Sequence, residues 1–331
     1  MFRCMSTLAD IQHEGYSRVA ERQLAGANRT FPYRLTFNRT DVVEFRMKAA
    51  EHMSISGIQD KISLKLIRGK IVPTEKDGEY ILKPVPSADI SRFKTDVPAN
   101  EHLTMQIASQ VFGIATAVNA CIYFADGELA YITRRFDRRA GGKIGQEDFC
   151  QLSNRTEETS GKNYKYDGSY EEVGRILKQY CKAYPVEVEK LFARIVFNYV
   201  FSNGDAHLKN FSLYESEFGD YILTPAYDLI CTSLHFPEEG RTALDLFDTF
   251  KTESFRHNAF YKRPDFLKLA EFYGMNMGRA DRCISQFADN KDRVRDLIGQ
   301  SFLSDRAKAD LWTRFDDRLK AIADYPAPVN S

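Results

Sequence analysis

Between Val188 and Phe201 the apolar residues follow a helical rhythm. Phe192, Ile195, Val196, Tyr199 and Val200 fall at i, i+3, i+4, i+7 and i+8, which predicts a helix with a buried stripe. Two short apolar runs follow, Phe211–Tyr214 and Tyr221–Leu223, separated by Glu-Ser-Glu-Phe-Gly-Asp; they predict a hairpin. Earlier in the chain the pattern alternates. Ile62–Arg68, Gly69 and Lys70–Pro73 read as strand, turn and strand, and Glu79–Lys83 reads as a further short strand. Leu103, Ile107 and Val111 at i, i+4 and i+8 predict a helix from Pro98 to Gly113, with Glu101 in its first turn. Cys121–Phe124 and Leu129–Ile132 flank Asp126-Gly127, the signature of a hairpin with a type I′ turn. Residues 1–50 are weakly patterned, with one short helix ending near Gly26 and packing on the lobe behind it or on a partner. From Gln146 onward the chain turns mostly helical. Gln146–Gln151 opens a helical piece, 154–169 is a polar and mobile loop, and about 265–323 forms two or three amphipathic helices. The whole predicts an α+β fold with a β-rich lobe over 51–135 and a helical lobe over 136–331.

Composition narrows the setting. With 331 residues, 43% of them hydrophobic, the chain can bury a sizeable core in one large domain or two lobes. Lysine plus arginine equals aspartate plus glutamate at 46 each, so there is no global basic field for holding nucleic acid. Six scattered cysteines without CxxC spacing argue against a zinc site or a disulfide framework. The N-terminus lacks the apolar run of a signal peptide and no stretch is long enough to span a membrane, so a soluble cytoplasmic protein is expected.

The candidate chemistry sits between the long helix and the hairpin, in Asn203-Gly-Asp-Ala-His-Leu-Lys-Asn210. An Asn-Gly-Asp run is by itself an ordinary turn. Here Asp205 can accept a proton from an attacking hydroxyl, Asn210 can hold Mg²⁺, and a second carboxylate, Asp228, follows the hairpin, a set suited to phosphoryl transfer. Lys83 ends a strand, where a lysine is usually solvated; in a kinase it would pair the α- and β-phosphates and be held by a helix glutamate such as Glu101. The loop Met53–Lys61 has serines and one glycine, enough to lay backbone N–H groups along phosphates, while Thr133–Arg138 leaves the sheet where adenine would hang.

Four segments together resemble the HipA family of serine/threonine kinase toxins: Ser54-Ile-Ser-Gly-Ile-Gln-Asp-Lys61, Tyr80-Ile-Leu-Lys-Pro84, Arg135-Phe-Asp-Arg138 with Gln146-Glu-Asp-Phe149, and Asn203–Asn210 with Tyr227-Asp228. The resemblance implies a two-lobed protein-kinase-like fold using ATP and Mg²⁺. By matching position it makes Asp205 the proton acceptor, Asn210 and Asp228 the Mg²⁺ ligands, and Lys83 the phosphate lysine. Ser56, Gly57, Ile58, Gln59, Asp60 and Lys61 would form the ATP loop, and Arg134, Arg135 and Phe136 the adenine-side hinge. His207, Leu208, Lys209 and Tyr227 would line the nucleotide. Only about 50 residues precede the ATP loop and two serines, Ser54 and Ser56, stand where HipA has one autophosphorylated serine, so the chain is similar to the short HipT branch. In that branch the missing N-terminal subdomain is a separate small HipS-like protein and a HipB-like helix-turn-helix antitoxin is a third component. DNA would be reached only through the antitoxin. The implied substrate is a protein, an aminoacyl-tRNA synthetase, tryptophanyl by the HipT likeness, whose phosphorylation blocks translation and growth. Autophosphorylation of Ser54 and Ser56 would act as a switch. Two rival readings remain at this point: a small-molecule kinase of the aminoglycoside or choline type, and an inactive kinase-fold scaffold that binds antitoxin partners.

Overall fold

The computed structural model describes residues 1–26, 29–41, 61–139 and 142–323. Five antiparallel strands form the first sheet, in the order Lys70–Pro73, Ile62–Ile67, Tyr80–Lys83, Leu129–Arg134, Asn119–Tyr123. The register sets Leu82 opposite both Ile62 and Ile132 and Lys83 opposite Tyr131. Residues 1–41 are less peripheral than their weak pattern suggests. Cys4, Met5, Tyr16, Ala20, Leu24, Phe31 and Leu35 share one apolar core with the sheet residues Leu64, Leu82 and Ile122. Leu35 N donates to Tyr123 O at 2.7 Å, and Tyr80 Oη donates to Leu24 O at 2.7 Å. The short helix Arg18–Ala25 ends at Gly26, whose φ of 85° suits glycine.

The helix Val97–Gln110 lies between this sheet and the rest of the chain. From Val97 to Ala108 every residue is buried, so the helix has no solvent face. The Leu103 stripe therefore gives only one of its contacts. Asn100 Nδ2 on another face donates to Cys231 O at 2.9 Å, and Phe112 just past the helix stacks on Phe287 at 4.4 Å between centroids. A preceding single turn, Lys94–Asp96, moves the helix start to Val97, so Glu101 falls in the second turn rather than the first. A role for it at the helix dipole is thereby lost.

The helix Tyr184–Val200 buries Leu191, Phe192, Ile195, Val196, Phe197, Tyr199 and Val200. Removing such side chains from water is worth about 1.5–3 kcal/mol each, which makes this helix the axis of the larger core. The helices Arg263–Phe272, Met277–Asp289, Lys291–Gln300 and Asp305–Ile322 pack around it; the tail thus holds four helices. The hairpin Ser212–Glu215 with Tyr221–Leu223 gains a third strand, Gln146–Asp148, pairing with 212–214. The helical reading of Gln146–Gln151 holds only from Phe149, where Asp148 caps a single turn with a capping box. Two-period pairing wins over the first three residues because the edge of the hairpin offers unpaired backbone groups.

Two other expectations change. The Asp126-Gly127 turn is not type I′, since Gly127 has φ 95° and Asp126 has no positive φ; Phe124 N donates to Glu128 O at 2.8 Å, closing a longer loop with glycine in the left-handed position. The polar stretch 154–169 holds two short turns, Glu157–Ser160 and Tyr164–Tyr166. All six cysteines are free thiols. Among the described residues no helix is long and apolar enough to cross a membrane.

Candidate active site

The first half of the site is a buried charge cluster. Lys83 leaves the third strand of the sheet and its Nζ donates to Glu101 Oε1 and to Asp228 Oδ1, each at 2.5 Å. Lys83 and Glu101 side chains are only 4% and 1% exposed. Burial alone would lower the Lys83 ammonium, but the carboxylates of Asp228 and Glu101 override it and hold the group above the ordinary lysine value. Burial would likewise raise Asp228, yet Lys83 and then Lys61, 3.4 Å away, pull it well below the carboxylate range. Asp228 is held with φ 54°, a left-handed conformation that aspartate and asparagine tolerate better than most side chains. Strand, helix and post-hairpin turn thus deliver three charges to one point.

The second half is the loop 203–210. Asn203 fastens it: its Nδ2 donates to Asn198 Oδ1 at 2.9 Å and to Asp228 O at 3.3 Å, and its Oδ1 accepts from Asp205 N at 3.2 Å. Gly204 N donates to Thr232 Oγ1 at 2.7 Å, and Thr232 in turn bonds Glu239. A Cβ on Gly204 would stand 2.8 Å from Gly240 O, too close for any side chain there without moving the loop. Asp205 is half-exposed, with its carboxylate 3.8 Å from His207 Nε2 and 3.9 Å from Lys165 Nζ. Tyr166 Oη donates to Asp205 Oδ1. Burial lowers His207 to about 4, so the ring is neutral near pH 7.

Asn210 Oδ1 is buried and has no hydrogen-bond partner among the described residues. A buried acceptor of this kind is costly unless something occupies it, and amide and carboxylate oxygens are the ligand types a hard divalent cation takes. Asn210 and Asp228 could therefore supply oxygen ligands to Mg²⁺. Tyr227 Oη donates to Lys209 O at 2.8 Å, and its ring lies 5.8 Å from Phe136, so these two aromatics form one wall. Leu208 is buried beneath the loop.

The remaining predicted residues are placed differently. Arg134 Nη1 donates to Gln23 O, and Arg135 pairs with Asp137 at 2.6 Å. Both side chains line a separate cleft of about 400 Å³ with Arg29, Lys65, Asp77 and Glu79. Ser54, Ser56, Gly57, Ile58, Gln59 and Asp60 lie outside the described residues. Asn203, Thr232, Glu239 and Tyr166 escaped the sequence reading. Asn203 stood in the quoted motif as a turn former, and nothing local marks the other three.

Glu239 gives the site a pH dependence. Its carboxyl is pushed up to about 7, by burial first and the Asp205 charge beyond that, against hydrogen bonds from Thr232 and Gly204. The folded protein thus keeps a proton that the unfolded chain releases near the ordinary glutamate value, and stability falls as pH rises through that window toward 7. Glu239→Gln, always neutral, is expected to flatten that fall. Denaturant titrations at about pH 5 and about pH 8 with the same difference in both proteins would contradict this.

The HipA-like C-terminal domain family model matches residues 53–294. The chain belongs to that family. It is 28% identical over 313 residues to a putative kinase of Haemophilus influenzae, covering 87% of each chain. It is 31% identical over 233 residues to the putative kinase Y4dM of Sinorhizobium fredii, spanning 63% of this chain and 52% of that one. Among solved structures it is similar to a chain of the Shewanella oneidensis HipA, HipB and operator DNA toxin–antitoxin complex, with TM-score 0.65, 21% identity, and coverage of 86% of this chain and 71% of that one. The Helicobacter pylori proinflammatory kinase CtkA matches with TM-score 0.52 and 15% identity over 79% of this chain and 90% of that one. At such identities the structures speak for the fold, which is α+β, two-lobed and kinase-like.

Proposed function

We propose that this HipA-family chain is an ATP-dependent serine/threonine protein kinase and the toxin of a bacterial toxin–antitoxin module. The observation that carries the reading is Lys83 buried between Glu101 and Asp228, beside the loop that presents Asp205 and Asn210, whose buried Oδ1 has no hydrogen-bond partner among the described residues. Such a buried cluster, taken as a whole, gives the fold little that well-packed apolar residues in all three places would not give, whereas its lysine can pair with nucleotide phosphates. Asp205 accepts the proton of the acceptor hydroxyl, and Asn203 and Gly204 hold it in position. Lys83 and Lys61 neutralise phosphate oxygens, and Phe136 and Tyr227 offer an apolar wall to the base. Asn210 and Asp228 hold Mg²⁺, which supplies charge neutralisation on the phosphates when bound. Backbone groups of the 134–136 segment serve the adenine, since the two arginine side chains turn elsewhere.

The finer reading extends the same proposal. The substrate is a serine of an aminoacyl-tRNA synthetase, tryptophanyl by likeness to the HipT branch. A HipB-like helix-turn-helix antitoxin and a HipS-like small protein are the partners, DNA is met only through the antitoxin, and the setting is the cytoplasm. Ser54 and Ser56 are autophosphorylated, placing charges of about −1.5 to −2 beside the triphosphate and lowering activity. The HipB in the Shewanella structure supports the antitoxin partner.

Asp228→Asn and Asn210→Ala are each expected to weaken ATP binding about tenfold in Mg²⁺, the size of one ~1.4 kcal/mol contact. The asparagine keeps the left-handed backbone of position 228 unstrained. Calorimetric titration with ATP, with and without Mg²⁺, checks this: the metal-dependent gain in affinity should shrink in both variants. An unchanged gain makes these residues structural.

A further inference from the structure

The hydroxyl that reaches Asp205 in this structure belongs to the chain itself. Tyr166 Oη donates to Asp205 Oδ1, the interaction that a phosphoryl acceptor must make with its proton acceptor. The contact is built rather than incidental. The Tyr166 ring stands edge-on to His207 at 5.2 Å, and Lys165 Nζ lies 4.8 Å above the same ring while facing the Asp205 carboxylate. Two residues before Tyr166, Tyr164 Oη accepts from Lys209 Nζ at 3.2 Å. The turn Tyr164–Tyr166 is thus fastened at both ends to the catalytic loop, and Arg155, bonded to Glu172 at 2.8 Å, reaches Asp167 just beyond it. Burial, and then the bond to Asp205, push the Tyr166 phenol above its ordinary value, so it stays protonated and is a hydrogen-bond donor near neutral pH.

We propose that Tyr166 is an intramolecular phosphoryl acceptor of this enzyme. The inference rests on the kinase reading above. The Tyr166 oxygen attacks the γ-phosphorus of ATP, the bond from that phosphorus to the β,γ-bridging oxygen breaks, ADP leaves, and the phenolic proton passes to Asp205. The product carries about −1.5 to −2 charges at neutral pH and cannot remain beside the Asp205 carboxylate. The turn then swings away, and the acceptor side opens to a serine of another protein. Before modification, Tyr166 competes with that serine for Asp205.

Two measurements test this with the full-length chain. Without nucleotide, brief trypsin digestion should cut after Lys162 or Lys165 faster in Tyr166→Phe than in wild type, because the phenylalanine cannot bond Asp205. Equal rates would mean that the contact does not hold the turn, which overturns the proposal. With Mg²⁺ and labelled ATP, phosphopeptide mapping should place phosphate on Tyr166 at a rate independent of protein concentration. The label should be absent from Asp205→Asn, even when affinity-tagged wild-type protein is mixed in and removed before mapping. Phosphate elsewhere on the chain but never on Tyr166 overturns this inference alone. Phosphate on Tyr166 of Asp205→Asn in the mixture overturns its intramolecular character. An absence of label on any residue or on any added protein overturns the kinase reading, and this inference with it.

Discussion

Lys83→Ala is expected to lower folding stability by about 3–5 kcal/mol at neutral pH, as well as to abolish nucleotide binding. The cause is what the lysine leaves behind. Glu101 is 1% exposed, its Oε2 already lacks a hydrogen-bond partner among the described residues, and Asp228 sits on the other side of the same ammonium. Without the cation, two carboxylates face each other with little water. Glu101→Gln should cost less, because Lys83 keeps Asp228 and the amide can still accept its hydrogen bond. The penalty also has a predictable pH dependence. Asp228 is ionised in the wild type well below the usual carboxylate range, so its contribution is present above that range and is lost only in strong acid. In Lys83→Ala one of the two carboxyls takes up a proton, and the gap between variant and wild type narrows as pH falls. Urea titrations at several pH values measure it. A gap under about 1 kcal/mol at neutral pH would mean that the cluster is neither dry nor coupled.

Asp205→Asn should behave in the opposite way. Its side chain is half-exposed, its bonds are to a loop and to Tyr166, and surface substitutions of this sort change stability by about 0.5 kcal/mol or less. Phosphoryl transfer should nevertheless fall by about 10²–10⁴, the value of a positioned proton acceptor. Kinetics on protein of verified stability, with growth arrest on induction as a second readout, separate the two effects. A variant that transfers phosphate at the wild-type rate would remove Asp205 from the chemistry.

How far the sequence could be read depended on how local each determinant is. The Phe192–Val200 stripe, the Ile62–Pro73 hairpin and the Tyr80–Lys83 strand are written in short-range periodicity, and the structure contains them. Residues 1–41 were nearly illegible because their partners lie far along the chain: Leu35 bonds Tyr123, and Tyr16 Oη bonds Cys121 O. Gln146–Asp148 becomes a strand only because the 212–215 strand offers an edge. The same contrast governs the candidate site. Asp205, Asn210 and Asp228 stand out by their spacing around a hairpin. The bonds from Gly204 N to Thr232 Oγ1 and from Tyr166 Oη to Asp205 tie the polar loop to distant segments with no periodic signal. Glu101 stands out as a partner for Lys83, but a one-residue shift of the helix start, from Pro98 to Val97, decides which of its two roles applies.

The central claim is that this chain transfers the γ-phosphate of ATP to a protein hydroxyl through Asp205. The most direct test incubates purified wild type and Asp205→Asn with Mg²⁺ and γ-labelled ATP, alone and with a purified aminoacyl-tRNA synthetase, and follows label in each protein. The account predicts Mg²⁺-dependent label in wild type and on a serine of the synthetase, with none from Asp205→Asn. Label that is absent from every protein, or equal with both enzymes, would contradict it.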